Sequence, residues 1–198
     1  SAEDTSIQDG NNTIAIKAGE LLWWSSANAT TSIASTKSGT VGINSPNMQY
    51  SVVSEIRSVD RDGDDLIDHV YFGDLGGQIF RTDFNNKEKT IGSWAKAPIL
   101  IFDEHKANGK SPRFYDMPAF SLYNNNGSIF AVVSQGSGNR SAPLFADSSY
   151  DYDAIYNIYD KDVARTDLYN YDSVKNPLIT KNIKVDNVSG LRLINDDK

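Results

Sequence analysis

Two β-forming runs, His69-Val70-Tyr71-Phe72-Gly73 and Gln78-Ile79-Phe80-Arg81-Thr82-Asp83-Phe84, flank Asp74-Leu75-Gly76-Gly77, and this arrangement admits few folds. Aromatic and β-branched residues favour a pleated, half-buried surface. A Gly-Gly turn between two such runs supplies the positive φ angles of a tight hairpin. Antiparallel strands need only turns of this kind, so the spacing predicts a β-meander.

The same punctuation recurs along the chain. Gly19-Glu20-Leu21-Leu22-Trp23-Trp24 reads as a first strand after a polar lead-in, and residues 25–47, rich in Ser, Thr, Ala and Asn, read as a long loop. A strand is expected over Tyr50–Val59 and another over Ala97–Phe102, giving a blade-like unit near 50–102. Ala119–Tyr123, the turn Asn124-Asn125-Asn126-Gly127, Ser128–Val133 and Ala154–Asp160 repeat the order in a second unit near 117–160. Residues 161–172 offer at most a helical turn or two, since Tyr, Asn and Asp are poor helix formers. Val185, Val188, Leu191, Leu193 and Ile194 point to one last strand. The expected fold class is mainly β: antiparallel β-meander blades of a β-propeller within a single β-rich domain. The strands are too few to close a propeller of typical size, so a partial propeller or an excised fragment is expected.

Charge and composition exclude some partners. At 198 residues with a net charge of -7, the chain can bury a core but lacks the basic surface that nucleic acid requires. No run reaches the roughly 20 apolar residues of a membrane-spanning helix. There is no cysteine, hence no disulfide framework and no thiolate metal site. No signal peptide is visible; Ser1-Ala2 reads as an expression scar, with any targeting segment already removed. The Asn-X-Ser/Thr triplets at Asn11, Asn28, Asn126, Asn139 and Asn187 match glycosylation acceptors, a pattern that chance supplies readily in so Asn- and Ser-rich a chain.

The segment Asp60-Arg61-Asp62-Gly63-Asp64-Asp65-Leu66-Ile67-Asp68 carries the clearest chemistry. Calcium takes six to eight oxygen ligands, and a tight loop gathers them from alternate positions. Counting from Asp60, carboxylates fall at positions 1, 3, 5 and 9, namely Asp60, Asp62, Asp64 and Asp68, while Leu66 at position 7 offers its backbone carbonyl. Ile67 is then free to turn inward as an anchor. The spacing is that of an EF-hand-like loop without the flanking helices. Position 6 is Asp65 rather than Gly, and position 12 is Tyr71 rather than the bidentate Glu. Asp tolerates the left-handed backbone better than most residues, and Asp68 closes the shell instead. Repulsion among these carboxylates costs roughly 1 kcal/mol per close pair even in water, a cost that a divalent cation removes. A solvated acidic turn is the alternative.

From Ser51 through the Asp loop to Asp68-His69-Val70-Tyr71-Phe72-Gly73-Asp74-Leu75-Gly76-Gly77-Gln78-Ile79-Phe80-Arg81, the chain resembles the C-terminal β-propeller of the PilY/PilC-type proteins of bacterial type IV pili. Gly19-Glu20-Leu21-Leu22-Trp23 is similar to that family's preceding strand. Gly136-Ser137-Gly138-Asn139-Arg140 with Ile155–Asp160 is similar to its next blade. The resemblance implies calcium held by Asp60, Asp62, Asp64, Asp68 and the Leu66 carbonyl. It implies roles in pilus assembly, opposition to retraction, and surface or host adhesion. The implied partners are pilin or minor pilin subunits and host-surface ligands. The implied location is extracytoplasmic: the bacterial surface, the pilus tip, or the periplasm and outer membrane.

No catalytic constellation is expected. His69 and His105 form no H-E-x-x-H pair, and Gly136-Ser137-Gly138 makes no nucleophile elbow. Two rivals remain: a calcium-stabilised carbohydrate-binding or structural module, and a quinoprotein-type propeller enzyme. The aromatic residues, among them Trp23, Trp24, Trp94, Tyr150, Tyr152, Tyr156 and Tyr159, suit either half-buried strands or an adhesive patch, and strands are the simpler account.

Overall fold

A computed structural model describes residues 4–9, 11–29, 41–88, 91–108, 111–143, 153–170, 180–186 and 192–194. Its strands are β1 (Thr5–Asp9), β2 (Asn12–Ile16), β3 (Trp23–Ser26), β4 (Val41–Asn44), β5 (Arg57–Val59), β6 (His69–Gly73), β7 (Gln78–Asp83), β8 (Ile99–Asp103), β9 (Ala119–Asn125), β10 (Ser128–Gly136), β11 (Ile155–Asp160), β12 (Thr180–Asp186) and β13 (Arg192–Ile194). The chain is mainly β. One helical turn, Ile91–Trp94, and two 3₁₀ turns at Asp162–Ala164 and Leu168–Asn170 are the helical elements among the described residues.

Sheet order follows chain order. Strands β5 to β8 form a four-stranded sheet in the order β5-β6-β7-β8, and the last five strands form another in the order β13-β12-β11-β10-β9. The second sheet is antiparallel throughout, with Phe130 opposite Tyr123, Ala131 opposite Asp160, and Ile155 opposite Val185. Asn126 and Gly127 both take positive φ, 50° and 88°, which gives the β9–β10 hairpin the twist its strands require. In the β6–β7 turn, the Asp74 carboxylate accepts the N–H groups of Gly76 and Gln78, both at 2.9 Å. Gly77 has φ +86°.

The chain folds as two compact units: residues 1–49, 58–70 and 82–99 make up the first, and residues 50–57, 71–81 and 100–198 the second. In the first, Phe84 stacks on Trp94 at 4.6 Å and meets Trp23 edge-on at 5.7 Å. In the second, Phe102, Phe114 and Tyr156 form an aromatic cluster, with Tyr156 4.8 Å from Phe102 and 5.6 Å from Phe114. Phe72 stacks on Phe80 at 5.3 Å. Burying rings in this way supplies much of the free energy that holds a small β unit together. In the same unit the fully buried Arg81 and Asp160 form an ion pair at 2.5 Å. Asp160 also accepts the Tyr71 hydroxyl at 3.0 Å and the Asp162 N–H at 3.1 Å.

The structure corrects several expectations. The polar lead-in holds a hairpin, β1 on β2, with Ile7 opposite Ile14. The stretch read as a loop over 25–47 contains the end of β3 and all of β4, which pair in parallel with Trp24 opposite Gly42. Gly42 is required there, because a Cβ would lie 2.8 Å from the Trp24 indole. The strand expected over Tyr50–Val59 shrinks to Arg57–Val59; the apolar side chains of Val52, Val53 and Ile56 are exposed and bury nothing that would hold a strand there. The tail contributes two strands rather than one, while Val188 and Leu191 lie outside the described residues, as do Tyr150 and Tyr152. Tyr156 is buried, and Tyr159 is half-buried beside Phe130 at 5.5 Å. No helix among the described residues is long and apolar enough to cross a membrane.

Candidate metal centre

The acidic loop joins β5 to β6 and is closed at its base by backbone, the Asp68 N–H donating to the Val59 carbonyl at 2.9 Å. Inside this ring the carboxylates first organise the chain. Asp60 accepts the Gly63 N–H at 2.7 Å through one oxygen and the Asp65 N–H at 3.0 Å through the other. Asp64 accepts the Leu66 N–H at 2.9 Å. Asp68 accepts the Arg61 N–H at 2.8 Å. Such side-chain caps let a short segment turn sharply without sheet or helix partners. Gly63 and Asp65 both enter the left-handed region, at φ 80° and 66°. Position 6 therefore needs that conformation, and Asp adopts it.

The outcome is convergence of charge. Ligand oxygens of Asp60, Asp62 and Asp68 all lie within 4.8 Å of one another. Asp60 and Asp62 are exposed, whereas Asp68 is only 3% exposed. Asp64 is exposed and stands outside this trio, its oxygen held by Leu66. The Leu66 side chain is 49% exposed, consistent with a position where the backbone matters more than the side chain. The inward anchor expected of Ile67 is not found: its side chain is 46% exposed. The loop is instead anchored through its backbone, the Ile67 carbonyl accepting the Asn86 amide at 3.2 Å.

Asn86 is a residue that the sequence pattern did not single out. Its amide nitrogen also donates to Asp68 at 3.2 Å, and its oxygen accepts the Trp94 indole N–H at 3.1 Å. A relay thus runs from Trp94 through Asn86 to a candidate ligand, and orienting contacts of this kind tune metal sites. Nothing local in the sequence marks it, since the partners are 18 and 8 residues away. His69, beside the loop, is buried and bonds Asp83 at 2.7 Å, a structural role.

No protein-family model matches the chain, and no curated protein matches it. Among solved structures it is similar to the crystal structure of the Pseudomonas aeruginosa PilY1 C-terminal domain, at 15% identity and a TM-score of 0.48, over 98% of this chain and 44% of that one. The chain thus spans under half the length of that domain. The chemistry of the loop rests on its own residues.

Proposed function

We propose that the loop Asp60–Asp68 binds calcium, and that the chain is a calcium-binding, type IV pilus-associated protein that acts by binding rather than catalysis. The observation that carries the first part is the convergence of Asp60, Asp62 and Asp68 within 4.8 Å. Hard carboxylate oxygens suit calcium, and a multi-carboxylate cage suits it better than the smaller magnesium ion. Asp64 and the Leu66 carbonyl would complete the shell. Calcium would supply the positive charge that relieves the clustered carboxylates.

The pilus reading rests on the run from Ser51 to Arg81 and its family resemblance. Blade-like construction is supported by two sheets whose strands follow chain order. The reading carries with it an extracytoplasmic location, pilin or minor pilin subunits and host-surface ligands as partners, and roles in assembly, in resisting retraction and in adhesion.

Calorimetric titration of chelator-treated protein with calcium tests the site. Saturable one-site binding, lost in Asp60→Ala and Asp68→Ala, is expected. A folded wild-type protein that takes up no calcium would leave an acidic turn. Binding of purified pilin subunits with and without calcium then tests the second part.

A further inference from the structure

The second unit carries a polar cleft that shares no residue with the acidic loop. It lies where the chain leaves β10, encloses about 210 Å³, and is lined by Tyr115, Asp116, Ser137, Asn139, Arg140 and Asp153, with Gly138 and Pro143 at its wall. Its frame is bonded in place. The Gly138 N–H donates to the Arg113 carbonyl at 3.1 Å, and the Ser137 N–H to the Ala154 carbonyl at 2.9 Å. The Ser137 hydroxyl donates to Asp153 at 3.0 Å and accepts the Ala154 N–H at 3.0 Å.

The lining alternates donors with acceptors that retain capacity. Asp116 receives Arg140 and Asp153 receives Ser137, yet a carboxylate offers about four lone-pair sites. Asn139 uses its oxygen on the Ser141 N–H at 3.2 Å, and its amide nitrogen has no protein partner among the described residues. Arg140 spends one donor on Asp116 and lies 5.9 Å over the Tyr115 ring, with most of its five N–H groups left. Tyr115 and Pro143 add ring surface.

Four features select a ligand. The volume falls below the roughly 300–1,000 Å³ of drug-sized pockets, so one small ring fits. Donors beside acceptors match hydroxyls, which both give and receive hydrogen bonds. Asp116 and Asp153 in the lining are balanced by Arg140 and by Arg113, which bonds the Tyr115 hydroxyl, so the site favours a neutral ligand over an ion of either sign. Apolar ring surface suits the C–H face of a pyranose. We propose that this cleft binds a single neutral pyranose, a hexose or N-acetylhexosamine.

The test uses ¹⁵N-labelled full chain titrated with glucose, galactose, mannose and N-acetylglucosamine to about 50 mM, far into the range where millimolar binding saturates. N-acetylneuraminate serves as the anionic control. Asn139→Ala removes the unused amide. Gly138→Leu adds bulk at the wall, where a Cβ meets nothing within 4 Å, and the dispersion of the remaining amide signals checks that the variant is folded. At least one neutral sugar is expected to shift the amides of Tyr115 and residues 136–140 saturably, with affinity falling at least about tenfold in both variants. The proposal fails if no neutral sugar gives saturable shifts there, if both variants bind as wild type does, or if the anionic sugar binds more tightly. Calcium calorimetry on the same samples separates this outcome from the fate of the loop.

Discussion

The Asp68 carboxylate receives the backbone N–H of Arg61 at 2.8 Å, folding the acidic loop back on its own exit. Asp68 is therefore both a candidate ligand and a structural clasp, whereas Asp62 is exposed and engages no hydrogen-bond donor among the described residues. Asp62→Ala should weaken calcium at least about tenfold while leaving the metal-free melting temperature no lower than wild type and raised by about 2–4 °C for each kcal/mol of relieved repulsion with Asp60 and Asp68. Asp68→Ala should lose both binding and about 1–3 kcal/mol of metal-free stability, because the Arg61 N–H and the Asn86 amide lose their acceptor. Calorimetry with thermal melts in chelator distinguishes the two; equal loss of stability in both would overturn the distinction.

Trp94 bonds Asn86, which bonds Asp68. Calcium binding should therefore change the indole's surroundings and be visible in tryptophan emission. Asn86→Leu should abolish most of that change and weaken calcium by about 10- to 100-fold, the usual range for orienting contacts. A fluorescence response that survives the substitution unaltered would show that the relay does not operate.

Arg81 and Asp160 are both fully buried. Removing one partner strands a charge, so Asp160→Ala should cost about 3–5 kcal/mol in urea denaturation. The double variant Arg81→Met with Asp160→Leu should recover part of that loss, limited by the Tyr71 hydroxyl and Asp162 N–H that also depend on Asp160. A single-variant cost under about 1 kcal/mol would contradict a desolvated pair.

Gly73 leaves no room for a side chain, since an added Cβ would sit 2.7 Å from Phe114 Cβ. That atom cannot swing aside as the end of a long side chain can. Gly73→Ala should destabilise by about 1–3 kcal/mol through overpacking, measured by the same denaturation, and adding Phe114→Ala should restore little of it, because alanine keeps the Cβ that makes the 2.7 Å contact.

Burial pushes the Asp74 carboxyl above its ordinary value of 3.8, against the opposing pull of the Gln78 and Gly76 N–H groups. A raised folded value means the fold prefers the protonated form. The stability this group contributes is then fully present below 3.8 and lost as pH rises through the raised value. Asp74→Asn keeps an acceptor for both N–H groups without that loss. Its melting temperature relative to wild type should climb as pH increases across this window; a constant difference would mean the carboxyl titrates alike in both states.

Strands defined by their own residues were legible in advance. His69–Gly73 and Gln78–Asp83 carry dense aromatic and β-branched side chains around a Gly turn, and they occur where expected. The Asn126-Gly127 turn was equally plain. Elements defined by distant partners were not. Strand β4 is short and Gly-containing, and only its parallel pairing with β3 makes it a strand. The β1–β2 hairpin carries too few apolar residues to stand out in a polar lead-in. Val52 and Val53 show the reverse error, since β-branched residues form no strand without a neighbour to pair with. At the site, the spacing grouped Asp60, Asp62, Asp64 and Asp68; Asp60, Asp62 and Asp68 come together, whereas Asp64 turns aside to the Leu66 N–H. Asn86 could not be found this way, as its position depends on how the chain after β7 returns to the loop.

The Val59–Asp68 bond has an evolutionary consequence. A loop whose ends are already tied together is insulated from the strands that bear it. Residues 61–67 can vary in sequence while the Val59–Asp68 bond keeps the ends of the loop together. The acidic loop is thus covalently continuous with the sheet but mechanically set apart from it.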